Sequence, residues 1–189
     1  MKQLMTIPSE FYQNRKLIWT LAKNDFRTKY AGSYLGIIWA FVQPVVTVMV
    51  YWFVFGVVRQ GEPKAVPFVL WLVCGLVPWF FFQEALVQST NALIEYSYLV
   101  KKVVFKISIL PLIKVIASLF VHIFFVAFTL VLFCCYGYFP DLYVIQLLYY
   151  SFCAFALVLS MAYITSAVVV FFRDLTHLIT ILLQIGIWM

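Results

Sequence analysis

Apolar residues fall into five long runs along the chain, separated by short polar or charged breaks. The first run extends over residues 34–58, directly after a basic flank that contains Arg27 and Lys29. At about 1.5 Å per residue, a helix of this length crosses the roughly 30 Å hydrocarbon core of a bilayer. The later runs cover about 66–94, 107–135, 142–172 and 175–189.

This pattern predicts an all-α integral membrane protein with four full transmembrane helices and an incomplete fifth. Residues 1–189 would form a single transmembrane domain. The fifth run is too short to cross a bilayer, so we expect the rest of that helix to lie beyond residue 189.

Residues 1–33 carry a different pattern from the runs that follow. The apolar positions that recur at helical spacing are Phe11, Ile18, Trp19, Ala22, Phe26 and Tyr30. Basic residues occupy much of the remaining surface. The pattern predicts an amphipathic helix that lies flat on the cytosolic face of the membrane. A helix docked on a partner protein is the alternative.

Composition and charge support a membrane location. Hydrophobic residues make up 66% of the sequence and charged residues 11%, whereas a soluble domain is about one quarter charged. The net charge is +6, but the basic residues flank apolar runs, which favours contact with membrane lipids over nucleic acid. Of the 13 Lys and Arg residues, only Arg59 and Lys64 fall on one side of the predicted membrane. This bias predicts a cytosolic N-terminus, with residues 59–65 and 136–141 outside.

The second predicted span carries a row of polar residues. Glu84, Gln88, Asn91 and Glu95 follow one another at spacings of four, three and four, which places them on one helix face. Glu84 lies about 16 Å along the helix from Glu95, at about 1.5 Å per residue, and insertion scales assign an acid near mid-bilayer a cost of about 2.5–3.5 kcal/mol. We therefore expect this face to border a channel or a seam between two copies. A protonated acid, hydrogen-bonded inside the bundle, is the alternative.

Aromatic residues make up 20% of the chain and cluster around Tyr51, Trp79 and Tyr149. The belts of Trp and Tyr at membrane surfaces would account for such clusters. The functional alternative is a channel wall on which sugar rings stack. Under that interpretation, these three residues are candidates for the channel or the dimer seam.

The sequence contains no set of residues that predicts catalysis. No glycine-rich loop leads to a lysine that could hold a phosphate. Four cysteines, at 74, 134, 135 and 153, lack metal-ligand spacing and are predicted to be small buried side chains. His122 is alone in its span, where an interhelical hydrogen bond is commoner than a proton relay. We therefore predict a chain that is not an enzyme and has no cofactor or metal of its own.

Four short motifs together resemble one family of membrane proteins. RTKYAGSYLGIIWAFVQP leads into the first span, GLVPWF lies at 75–80, Leu110-Pro111 ends a break, and FRDL lies at 172–175. They are similar to motifs in the permease subunits of type-2 ATP-binding-cassette exporters that move polysaccharides such as O-antigen, capsule or teichoic acid. The matching positions are Arg27, Ser33, Gly36, Trp39, Pro44, Pro78, Arg173 and Asp174. Lys106 stands where the family usually has proline.

The resemblance implies a homodimer in the bacterial inner membrane, whose two copies enclose a channel for a lipid-linked glycan. Two copies of a separate ATPase subunit would bind ATP and magnesium. The segment 96–108 would be the coupling helix seated on that ATPase, with contacts from Tyr96, Leu99, Lys101, Lys102, Val103, Phe105 and Lys106. Anchoring of this basic segment on anionic lipid headgroups is the alternative.

Two other functions fit parts of the pattern. A permease of the same class could carry a drug or a lipid instead of a glycan. A membrane-embedded transferase would need acids, histidines or arginines clustered at one interface, and the predicted external breaks are sparse in them.

Overall fold

The structure, a computed structural model, describes residues 14–31, 34–58, 67–97 and 107–188, and no strand occurs among them. The helices are α1 (Arg15–Lys29), α2 (Trp39–Val58), α3 (Phe68–Thr90), α4 (Ala92–Glu95), α5 (Ile109–Cys135), α6 (Ile145–Val169) and α7 (Leu175–Gly186). Short 3₁₀ turns precede α2 and α6. Four helical segments are long and apolar enough to cross a membrane, and α7 is a shorter apolar helix. The predicted all-α membrane fold is therefore confirmed.

Helix α3 lies at the centre of the bundle and packs against α2, α5, α6 and α7. Its Phe81 and Ala85 form a buried cluster with Val115 of α5 and with Val158 and Ala162 of α6. The two alanines are completely buried. Small side chains let helices approach closely, and van der Waals packing is a principal source of helix association inside a bilayer.

Polar side chains also join the helices of this core. Thr90 of α3 donates a hydrogen bond to Thr165 of α6, with 2.9 Å between the two hydroxyl oxygens. The His122 ring nitrogen Nε2 on α5 lies 3.2 Å from the Ser151 hydroxyl on α6, so the expected interhelical hydrogen bond of His122 is confirmed. These bonds satisfy groups that would be costly to leave unpaired in hydrocarbon.

Helix α2 has little cover from the rest of the chain. Only 6% of its spanning segment is buried, against 44% for α3. Near its first turn, Ala40 packs into a cluster with Val73 and Val77 of α3 and Phe125 of α5. Gly36, just before α2, has φ of 50°, a left-handed conformation that glycine adopts without the strain of a Cβ. Most of the α2 surface thus faces lipid or another protein.

Helix α1 packs along α5 with the apolar face that the sequence indicates. Ile18 and Ala22 are buried against Ile109 and Leu110, at the start of α5. Further along α1, the rings of Phe26 and Tyr30 join the cluster that contains Val77 and Val121. Helix α1 therefore runs from the start of α5 towards its middle. The expected position flat on the membrane surface stays a prediction, and Phe11 lies outside the described residues.

A buried cation fastens α1 to the bundle. The Lys114 ammonium on α5 lies 2.8 Å from the Asp25 carboxylate of α1 and 2.6 Å from the Glu95 carboxylate of α4. The Tyr96 hydroxyl also donates a hydrogen bond to Asp25. Only 7% of the Lys114 side chain is exposed, so its charge depends on these partners. The sequence indicated Lys114 only as one of the basic residues flanking a span.

The four cysteines differ from their expected burial. All of them are exposed on the surface of the bundle. In a membrane protein, lipid-facing and core-facing positions are both apolar, so hydrophobicity alone does not separate them. The prediction of buried cysteines was therefore wrong. The same ambiguity between lipid-facing and core-facing positions applies to every span.

Lys114→Met should destabilise the protein, because it leaves Asp25 nearly buried without a cation. Breaking a buried ion pair from one side costs about 3–5 kcal/mol. We expect a clearly lower melting temperature in a thermal-shift measurement in detergent. Adding Asp25→Asn should recover much of the loss, since the unpaired acid is then gone. Lys23→Met, at an exposed position of α1, is the control for the loss of a lysine. A single Lys114→Met variant as stable as the parent would show that the cluster does not hold α1.

Candidate functional site

A cavity of about 710 Å³ lies between α2, α3, α7 and the end of α1. Its wall is unusually polar for a space between apolar helices. The amide and hydroxyl side chains that α2, α3 and α7 contribute to this wall are Gln43, Thr47, Tyr51, Gln83, Gln88, Thr180 and Gln184. We refer to this space as the polar cavity.

Helical spacing explains why these side chains meet in one place. Residues four apart share a helix face, and each of the three helices places such a set on the wall. The sets are Gln43, Thr47 and Tyr51 on α2, Glu84 and Gln88 on α3, and Thr180 and Gln184 on α7. Three polar stripes on otherwise apolar helices thus face a common space.

An ion pair stands at the α1 end of the polar cavity. The Lys29 ammonium pairs with the Glu84 carboxylate, and the cation lies 5.3 Å from the centre of the Tyr30 ring. Burial opposes the charged form of Lys29, but the attraction and hydrogen bond of Glu84 raise its pKa above the ordinary value. Lys29 therefore remains charged at neutral pH. No local spacing indicates Lys29 as a partner for Glu84, since the two residues are 55 positions apart.

The remaining polar residues of α3 have different neighbours. Gln88 lines the polar cavity beside Glu84. Asn91 instead accepts a hydrogen bond from the Thr176 hydroxyl of α7, with 2.8 Å between Oγ1 and Oδ1. The predicted polar face is thus divided: Glu84 and Gln88 line the cavity, Asn91 at the end of α3 bonds to α7, and Glu95 pairs with Lys114.

A second cavity, of about 650 Å³, adjoins the first. It shares Tyr51, Ile187 and Trp188 with the polar cavity, so the two spaces are contiguous along α2, α3 and α7. The aromatic side chains in its wall are Tyr51, Phe55, Phe68, Trp71, Trp79 and Trp188. The Trp188 ring lies 6.0 Å from that of Tyr51 and 6.1 Å from that of Phe55, measured between centroids. We refer to this space as the aromatic cavity.

Gly186 and Trp79 pack closely in the wall of the aromatic cavity. A Cβ atom at Gly186 would lie 2.9 Å from Cη2 of Trp79, which is too close for any larger residue unless the indole moves. The indole nitrogen of Trp79 is buried and has no hydrogen-bond partner among the described residues. The position of Trp79, and with it the shape of the cavity, therefore depends on a glycine at 186.

The other predicted site residues fall into three groups. Tyr149 is exposed on α6, stacks edge-on against Tyr150 and lines neither cavity. Of the coupling candidates, Tyr96 is tied to α1 through Asp25, whereas Leu99, Lys101, Lys102, Val103, Phe105 and Lys106 lie outside the described residues. The structure thus leaves most of the coupling segment as a prediction.

The family-motif positions are spread over the bundle. Trp39 and Pro44 line the polar cavity. Pro78 lies inside α3, where a proline removes one backbone hydrogen bond of the helix. Arg27 is exposed on α1, and Arg173 and Asp174 are exposed just before α7. Ser33 lies outside the described residues.

Sequence reasoning missed most of the polar wall. Gln43 with Thr47 and Thr180 with Gln184 repeat the four-residue spacing that singled out Glu84 and Gln88. The same spacing test applied to every span would have found them. No group of three or more His, Cys, Asp or Glu residues that could hold a metal occurs in the part of the chain that the structure describes.

Comparison with known proteins places the chain in a family. A profile of the ABC-2 type transporter family matches residues 16–189. The chain is 30% identical over 182 residues to the O-antigen export system permease protein RfbA of Myxococcus xanthus, which covers 96% of this chain and 69% of that protein. It is also 30% identical over 97 residues to a protein of the same name from Klebsiella pneumoniae, covering 51% of this chain and 36% of that one.

The chain therefore belongs to the ABC-2 type transporter family, the membrane-embedded class of transport subunit that its motifs resemble. The resemblance of the sequence motifs to those of type-2 permeases is thus confirmed. The two cavities thus lie within the membrane domain of a transporter.

Glu84→Leu should leave the Lys29 ammonium without its carboxylate beside the polar cavity. We expect normal membrane insertion, reduced transport and lower thermal stability, with a milder effect for Glu84→Gln, which retains a hydrogen-bond acceptor. Combining Glu84→Leu with Lys29→Leu should restore stability, with a coupling between about 0.5 and 3 kcal/mol. Thermal shifts of Glu84→Leu, Lys29→Leu and the double variant measure this coupling. Intact transport and raised stability in Glu84→Leu would mean that the pair is dispensable.

Proposed function

We propose that this chain is the transmembrane permease subunit of an ATP-driven exporter for a lipid-linked polysaccharide of the O-antigen, capsule or teichoic-acid type. The observation that carries this proposal is the contiguous polar and aromatic wall along α2, α3 and α7. A sugar ring has hydroxyl groups at its edge and a less polar face. Amide and hydroxyl side chains can bind the sugar hydroxyls, and aromatic rings can pack on the sugar face. The names of the relatives, as O-antigen export permeases, support the same cargo.

We propose that a second copy of the chain closes the open side of the polar cavity. Helix α2, which carries Gln43 and Thr47, is the span with the least cover from its own chain. Polar side chains in hydrocarbon face other helices or water, not lipid. Two copies that meet across this side would enclose the polar cavity. The proposal is therefore a homodimer with its channel between the copies.

Energy would come from two copies of an ATPase subunit that binds ATP and magnesium. The proposed contact is the segment 96–108. Its first residue, Tyr96, bonds to Asp25, and the preceding Glu95 bonds to Lys114. The start of this segment is thus fastened to both α1 and α5, so a force on it would reach the bundle through these bonds. The distribution of Lys and Arg supports placing it in the bacterial cytosol, with the protein in the inner membrane.

Phe105→Ala tests the proposed contact with the ATPase. An apolar anchor in a partner's groove commonly contributes about 2 kcal/mol or more to binding. In the assembled exporter we expect this variant to lower export per ATP hydrolysed and to reduce co-purification of the ATPase.

The matched comparison is the charge-neutralising variant Lys101→Gln with Lys102→Gln. Its effect should be smaller and should fade at high salt, because salt screens exposed charges. The reverse ranking, with a harmless Phe105→Ala and release of the ATPase by charge loss, would identify the segment as a lipid anchor.

A further inference from the structure

The charge of the cavity walls bears on which polysaccharide can pass. Among the described residues that line the two cavities, the only charged side chains are Lys29 and Glu84, and they pair with each other. The other polar groups of this described lining are amides, hydroxyls, indole nitrogens and a thiol. The lining that the structure describes therefore has no net charge and no unpaired cation.

A polyanionic glycan would be poorly stabilised in the polar and aromatic cavities. Phosphate and carboxylate groups leave water readily only where Arg, Lys or helix N-termini replace their hydration. A chain with one negative group in each repeat would place several such groups along the cavities at once. The Lys29 ammonium already has a carboxylate partner, so these anions would exchange their hydration only for the neutral donors of amides, hydroxyls and indoles, whose hydrogen bonds are weaker than those of a free cation.

An uncharged glycan meets a better-matched surface. Each glutamine side chain offers both hydrogen-bond donors and acceptors, as does each threonine hydroxyl, and sugar hydroxyls need both. The aromatic cavity adds rings that pack on the faces of the sugars. A second, identical copy would double this surface and leave it neutral.

We propose that the exporter carries polysaccharides with an uncharged repeating unit and discriminates against polyanionic chains, such as those built of polyol phosphates or uronic acids. This inference rests on the proposed function of the chain as a polysaccharide permease. It narrows the cargo from three envelope polymers to those without a charge in every repeat. A phosphate that links the glycan to its lipid is a single terminal group and falls outside this rule.

The test uses the intact exporter with its ATPase in proteoliposomes. Two lipid-linked glycans of equal length serve as cargo, one built of neutral hexoses and the other with one uronic acid in each repeat. Delivery across the bilayer is measured by the access of an added glycosidase. We expect the neutral chain to cross about tenfold faster or more, which corresponds to a difference of about 1.4 kcal/mol in the free-energy barrier to transport.

A charge variant makes the test specific to the cavity. Gln184→Lys adds a cation to the wall of the polar cavity and should raise the anionic-to-neutral export ratio several-fold. Gln146→Lys adds the same charge at an exposed position of α6 that lines neither cavity, and should leave the ratio unchanged.

The outcomes separate the inference from the function on which it rests. Equal export of both chains, or faster export of the anionic chain, would overturn the inference while leaving a polysaccharide exporter in place. Failure to export either chain, by an exporter that hydrolyses ATP and moves another cargo, would overturn the proposed function as well.

Discussion

The arrangement of this bundle depends on the pairing of one buried cation. Lys114 is nearly enclosed between α1, α4 and α5, where its charge is tolerable only because Asp25 and Glu95 contact it. Asp25 and Lys29 lie four residues apart on α1, so they share a face of that helix. Once Asp25 is held at Lys114, Lys29 lies beside Glu84, at the mouth of the polar cavity. Three ion pairs, Lys114 with Glu95, Lys114 with Asp25 and Lys29 with Glu84, thus connect the start of the proposed coupling segment with the wall of the proposed channel.

The same constraint, that polar groups in hydrocarbon need partners, shapes the rest of the site. Asn91 accepts a hydrogen bond from Thr176, and one ring nitrogen of His122, Nε2, is paired with the Ser151 hydroxyl. Gln43, Gln88 and Gln184 instead line the polar cavity between α2, α3 and α7. A soluble protein would hydrate such a groove, whereas in a membrane it needs water, cargo or another protein chain. A channel closed by a second copy meets this need and provides the cargo with its own hydrogen-bonding surface.

The sequence predicted well what depends on local pattern. The spanning helices follow from runs of apolar residues, and the family follows from motifs such as GLVPWF and FRDL. The sequence did not predict which side chains are buried or paired, because this depends on which side of each helix meets another helix. The cysteines were expected to be buried and are exposed, because lipid and protein interiors select the same side chains. The Lys29–Glu84 pair joins distant parts of the chain, and no local spacing indicates it.

If the glycan passes along the wall formed by α2, α3 and α7, a photo-crosslinking side chain in that wall should capture it. A benzophenone side chain would replace either Tyr51, which lines both cavities, or Tyr149, which lines neither. During ATP turnover with a lipid-linked glycan, the exporter with the probe at position 51 should crosslink to the glycan, and that with the probe at 149 should not. Crosslinking at 149 that equals or exceeds that at 51 would contradict the account.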